Sequence, residues 1–206
     1  MDKLILNSKL NNKQQEVIFK IANSDQHTDW LYYDDSETDE NKKSTPEARG
    51  RKYMILNDVE DKELQSVLNE IQKDLFELNN LDKSKFKLIQ TREPGLYPII
   101  LSCIYHVDGL PNHGIHTHKD WRGPNDEMQV RFNYLVKKSE EGGEPVVNRR
   151  IIDLEEKDGM VLFASEWLHK GMPTKGNKMR ILLSLGYLVE NEYAQKLEKR
   201  FNYGRI

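Results

Sequence analysis

From about residue 85 onward the chain carries closely spaced strand-like runs and no long helical pattern, which narrows the folds open to it. Phe86–Thr91, Ile99–Val107, Gln129–Val136, Pro145–Ile152, Met160–Ala164 and Met179–Leu188 are short and rich in β-branched or aromatic residues. Turn chemistry separates several of them, at Asp108-Gly109, Glu141-Gly142-Gly143, Lys157-Asp158-Gly159 and Lys175-Gly176-Asn177. Parallel strands need a long crossover, usually a helix, and none is offered here. Antiparallel strands that must hide their edges predict a barrel or jelly roll.

The first 84 residues read as a helical and loop layer packed on that core, so residues 1–84 and 85–206 form one integrated unit. Leu64, Val67, Leu68, Ile71, Leu75 and Leu78 recur at helical spacing over Asp61–Asn79, with Asp61 as the cap. Asn12–Ile21 is a shorter helical candidate, and Asn191 is placed to cap a last helix from Glu192 to about Phe201. Tyr33–Lys52 is polar, acidic then basic, and contains Pro46 and Gly50; it reads as a surface loop or a lid. The expected class is therefore mainly β with flanking helices.

Composition removes several function classes. The longest useful apolar run, Leu96–Leu101, is far short of the roughly 20 residues of a membrane span. Asp2, Lys3, Asn7 and Lys9 interrupt the segment where a secretory signal would lie, so a soluble, cytoplasmic protein with no membrane partner is expected. Cys103 is the only cysteine, which leaves neither an intrachain disulfide nor a thiolate cage, and its setting predicts a small core residue. A net charge of −3 argues against nucleic acid as a partner.

Four of the six histidines, His106, His113, His116 and His118, fall within a short span. Alternate residues of a strand share a face, so His118 and Asp120 can address one ion while Lys119 turns away. His169, at the end of a strand-like run, offers a third ligand. Two imidazoles and a carboxylate form a facial triad that leaves metal positions open. Further along, Arg180 and Ser184 lie four apart on one strand face. An arginine aimed into a barrel is costly unless an anion meets it, and this pair suits capture of a carboxylate. Lys178 shares that parity and is a second basic candidate. His116-x-His118 is a rival pairing of the cupin type, although Arg122 and Gly123 stand where a cupin would place its glutamate.

In order, Tyr105 with Asp108-Gly109, His118-Lys-Asp120, Tyr134-Leu135, Gly142-Gly143-Glu144, Gly159 with Phe163, His169-Lys-Gly-Met-Pro173, and Arg180 with Ser184 make a pattern. From about Ile100 to Leu188 it resembles the prolyl-4-hydroxylase-like branch of the Fe(II)/2-oxoglutarate-dependent dioxygenases. The resemblance implies a double-stranded β-helix (a jelly roll, cupin-like) with His118, Asp120 and His169 on Fe(II). It implies Arg180 on the distal carboxylate of the co-substrate 2-oxoglutarate, helped by Ser184 and Tyr134, with Tyr105 lining the same pocket. The implied reaction uses O2, hydroxylates a C–H bond of a prolyl or other amino-acid side chain, and releases succinate and CO2. The substrate is a peptide or a small-molecule amino acid. Trp121, Arg122 and Trp167 are the candidates for touching it. The nucleic-acid-demethylating branch carries a second arginine further along the last strand; Gly186 follows Leu185 here, which argues against that class. A non-oxygenase cupin, acting as an isomerase or ligand sensor, is the alternative.

Overall fold

The structure, a computed structural model, describes residues 4–24, 31–32, 51–90, 96, 98–106 and 118–201. The chain opens with β1 (Ile5–Lys9), α1 (Asn12–Ala22), β2 (Leu31–Tyr32), β3 (Arg51–Ile55) and α2 (Lys62–Leu78). Then come β4 (Phe86–Leu88), β5 (Ile100–Ile104), β6 (Met128–Lys137), β7 (Glu141–Gly142), β8 (Pro145–Val147) and β9 (Arg150–Ile151). The last elements are β10 (Asp158–Phe163), β11 (His169–Gly171), β12 (Thr174–Lys175), β13 (Arg180–Val189) and α3 (Asn191–Arg200).

The strands form two layers. An eight-stranded sheet runs β1-β10-β6-β13-β5-β3-β2, with β4 also paired to β13. Facing it are a three-stranded sheet, β11-β8-β9, and a two-stranded one, β12-β7. Every strand pairing among the described residues is antiparallel. This is the jelly roll expected from the turn-separated runs.

The helices obey their local signals. Asn11 and Gln14 cap α1 reciprocally, each side chain bonding the other's backbone N–H, and the Asp61 side chain accepts from Leu64 N at the start of α2. At α3 the cap position is Glu190, which makes no side-chain cap bond. The Asn191 side chain is used elsewhere, accepting from Arg122 at 2.8 Å. Helix α2 buries Leu64, Val67, Leu68, Ile71, Leu75 and Phe76 against the large sheet. There Phe76, Phe86, Phe132 and Tyr187 stack edge to face or tilted, with centroids 5.2 to 5.8 Å apart. Truncating such a ring, Phe132→Ala for example, costs about 3–5 kcal/mol.

Two expectations need correction. The N-terminal layer is not only helix and loop: β1 and β3 are strands of the large sheet, joined to β10 and β5. Pro145–Ile152 is a hairpin rather than one strand, because Asn148 and Arg149 both take positive φ (48° and 68°) and turn the chain back. Of the Tyr33–Lys52 segment, residues 33–50 lie outside the described residues, and Arg51 and Lys52 begin β3. Asp108-Gly109, His113 and His116 also lie outside them. Cys103 is buried in the core, and no described helix is long and apolar enough to cross a membrane.

Candidate metal centre and its cavity

Strand alternation divides the long central strands cleanly. On β6, Val130, Phe132 and Tyr134 face the helices, whereas Arg131 and Asn133 line a cavity of about 170 Å³ between the two sheet layers. On β13, Arg180, Leu182 and Ser184 line it too; on β5, Ile100, Ser102 and Ile104 do so. The smaller sheet closes the other side with Val146, Val147, His169 and Gly171.

His118, Asp120 and His169 meet at this cavity. The backbones of the two histidines exchange hydrogen bonds, His118 N to His169 O at 3.1 Å and His169 N to His118 O at 2.9 Å. Their rings stand 4.4 Å apart. Asp120 is tied in by its N–H to Ala164 O at 2.8 Å, just past the end of β10. Its Oδ1 lies 3.6 Å from Nε2 of each histidine. One ligand atom from each residue fits within 4.8 Å of the others. Ligands held about 2.1 Å from one ion must stand within roughly 4.2 Å of each other, so 3.6 Å suits a shared metal.

The tautomer of His169 also fits. Its Nδ1 lies 2.9 Å from Trp167 O, a carbonyl that can only accept. Nδ1 therefore carries the proton, and the Nε2 lone pair faces Asp120 and the shared space. The donor set, two imidazoles and one carboxylate, suits Fe(II).

Arg180 begins β13 and is 5% exposed. Its Nη1 donates to Gly143 O at 2.8 Å. Gly142 and Gly143 both have positive φ (74° and 81°), and a Cβ on Gly143 would stand 3.1 Å from Arg180 Cδ. The glycine pair thus lets this loop lie against the arginine. Lys178, by contrast, precedes the strand and is exposed.

The remaining candidates are distributed more widely. Ser184 lines the cavity but bonds Arg131 and Asn133. Tyr134 does not line it: the ring lies on the opposite face of β6, with its hydroxyl 2.7 Å from Ser8 Oγ. Burial there pushes its phenol far above the ordinary tyrosine range. Tyr105 is half-buried just past β5 and is not among the cavity's lining side chains.

None of the three substrate candidates reaches the cavity either. Trp121 is 63% exposed on the surface. Arg122 clamps the loop after Asp120, bonding Asp126 O at 2.9 Å, Asn191 Oδ1 and Glu166 Oε1. Trp167 is buried against Phe163, and its Nε1 donates to Glu198 Oε1 at 2.9 Å.

Arg131, Asn133, Ser102 and Tyr53 line the cavity and were not singled out from the sequence. The signal for two of them was present. Met128, Val130, Phe132, Tyr134 and Val136 alternate with Gln129, Arg131 and Asn133, which puts the tyrosine on the apolar face. Alternate residues of a strand face opposite sides, so a tyrosine at an even-numbered position of β6 is turned away from the cavity.

Neither a protein-family model nor a curated protein matches this sequence. Solved structures do match, and they show the fold: a jelly roll shared with 2-oxoglutarate-dependent enzymes, prolyl hydroxylases among them. A prolyl hydroxylase from Trichoplax adhaerens, in complex with a hypoxia inducible factor oxygen degradation domain peptide fragment, has a TM-score of 0.56 at 18% identity. The match covers 93% of this chain and 85% of that one. A Pseudomonas putida prolyl-4-hydroxylase has a TM-score of 0.51 at 11% identity, over 90% of each chain. SnoN, a non-heme alpha ketoglutarate dependent epimerase from nogalamycin biosynthesis, has a TM-score of 0.58 at 8% identity, over 90% of this chain and 76% of its own.

Proposed function

We propose that the chain is an Fe(II)- and 2-oxoglutarate-dependent oxygenase that hydroxylates a C–H bond of a prolyl or other amino-acid side chain. The observation that carries this reading is the convergence of His118, Asp120 and His169 at a cavity that also holds the buried Arg180. Iron bound there would supply the oxidative chemistry, coupling O2 and 2-oxoglutarate to hydroxylation with release of succinate and CO2.

The protein's own residues set the geometry. Trp167 O holds the His169 ring in the metal-binding tautomer. Asp120, with its side chain 5% exposed, sets a carboxylate beside the two imidazoles. Arg180 supplies a planar donor for the distal carboxylate of 2-oxoglutarate, and Gly143 O fixes its orientation. Ile100, Val146, Val147 and Leu182 give the cavity apolar walls beside the reacting centre. The prolyl hydroxylases of the same fold support an amino-acid side chain as the target, one of them holding a peptide.

The test is anaerobic addition of iron(II) and 2-oxoglutarate. A weak visible charge-transfer band is expected, and His169→Ala should abolish both the band and succinate formation in air. A cupin of another class would give no band with 2-oxoglutarate, and that result would overturn the reading.

A further inference from the structure

Two guanidinium groups enter the cavity at different places. On β13, Arg180 faces Ile104 of β5, while Gly186, six positions along, faces Arg131 of β6. Arg131 reaches back to Ser184, four positions from Arg180, and four strand residues span about 13 Å. Arg180 is held by Gly143 O, whereas Arg131 lies across the far part of the sheet. Its Nε donates to Ser184 Oγ at 2.8 Å, Nη1 to Gln129 Oε1 at 3.2 Å and Nη2 to Pro98 O at 3.3 Å.

The bond to Ser184 fixes the polarity of a short relay. A guanidinium only donates, so Ser184 Oγ accepts from Arg131 and directs its own proton to Asn133 Oδ1. With its oxygen taken, the Asn133 amide has Nδ2 to offer. This side chain is 7% exposed and lines the cavity, so the amide is a fixed donor held by packing and polarised through the relay by a cation. It lines the same cavity as His118, Asp120 and His169. Its partner across β10 is Met160, four residues before Ala164, whose carbonyl holds Asp120 N.

We propose that Asn133 Nδ2, oriented by Arg131 and Ser184, receives a carboxylate oxygen of the primary substrate. The substrate is then a small carboxylic acid of the amino-acid class, hydroxylated as the free acid rather than within a peptide. This rests on the oxygenase reading, in which Arg180 holds 2-oxoglutarate. A positively backed N–H donor favours an anionic oxygen over a neutral carbonyl, and charge-assisted hydrogen bonds are roughly twice as strong as neutral ones. Asn133 makes the contact; Arg131 and Ser184 are positioning residues.

The experiment is calorimetric titration of the protein loaded with manganese(II) and 2-oxoglutarate. The probes are the free amino acids, L-proline first, each against its own carboxamide. At least one acid should bind ten-fold or more tightly than its amide. Asn133→Leu and the near-isosteric Asn133→Asp should abolish that binding, and Arg131→Met should reduce it, with 2-oxoglutarate affinity within about three-fold of wild type. Equal binding of acid and amide by wild-type protein, or no binding of any acid, would overturn the assignment. So would a selective loss of 2-oxoglutarate binding in Asn133→Asp, which would give the amide to the co-substrate. If wild-type protein fails to bind 2-oxoglutarate at all, the oxygenase reading falls first and this one with it.

Discussion

His118 and His169 are paired twice, through reciprocal backbone hydrogen bonds and through rings 4.4 Å apart. The first pairing is made by main chain and survives loss of either side chain. His118→Ala and His169→Ala should therefore fold, while each loses most of its metal affinity. Titration with manganese(II) alone reads this directly, and retained tight binding in either variant would remove the triad.

Arg180 is expected to be the anchor for 2-oxoglutarate. Arg180→Met keeps the length of the side chain and removes the charge. Losing one member of a buried charge pair costs about 2–5 kcal/mol, so 2-oxoglutarate should bind about 30-fold more weakly or worse. Lys178→Met, at an exposed site before the strand, should leave affinity unchanged. The reverse pattern would transfer the role to the lysine.

Gly142 shows how tightly the loop over Arg180 is built. With φ at +74°, a Cβ there would lie 2.0 Å from Pro173 O. Gly142→Ala should destabilise the fold by more than the roughly 1–3 kcal/mol of backbone strain alone. Urea unfolding measures the loss, and a neutral result would contradict the loop geometry.

Alkaline pH probes the opposite face of the large sheet. Burial raises the phenols of Tyr134 and Tyr187 far above the ordinary tyrosine pKa of 10.0. The folded chain keeps these protons where the unfolded chain releases them, so unfolding is favoured there. Stability from this source is complete below about pH 10 and declines as the pH rises further. Urea midpoints across that range should fall, and Tyr187→Phe should flatten the slope.

Much of this fold was legible because its signals are local. Asp61 caps α2 as its position predicts, and Leu64, Val67, Leu68, Ile71 and Leu75 fall on one buried face, whereas Leu78, expected with them, is 56% exposed and Phe76 is buried. The strands after residue 85 are set off by turns that the chain spells with glycine and asparagine. What was illegible is non-local: nothing near Ile5–Lys9 announces that it will pair with β10, some 150 residues away. For the cavity, strand parity and the cost of burying an arginine led to His118, Asp120, His169 and Arg180, each of which lines it. The family resemblance added Tyr134, where the alternation of β6 was the better guide. Trp167 shows a further limit, since a position two residues from His169 suggests a shared face, but the chain turns between them and sends the indole to Glu198.

That last contact ties the far end of the chain to its centre. Helix α3 grips the indole of Trp167, whose carbonyl in turn orients the His169 ring. A protease that nicked the chain just before this helix would spare every metal ligand, yet it would release one side of the residue that steadies the imidazole. The C-terminal helix is thus a brace for the candidate metal centre as well as a cover for the sheet.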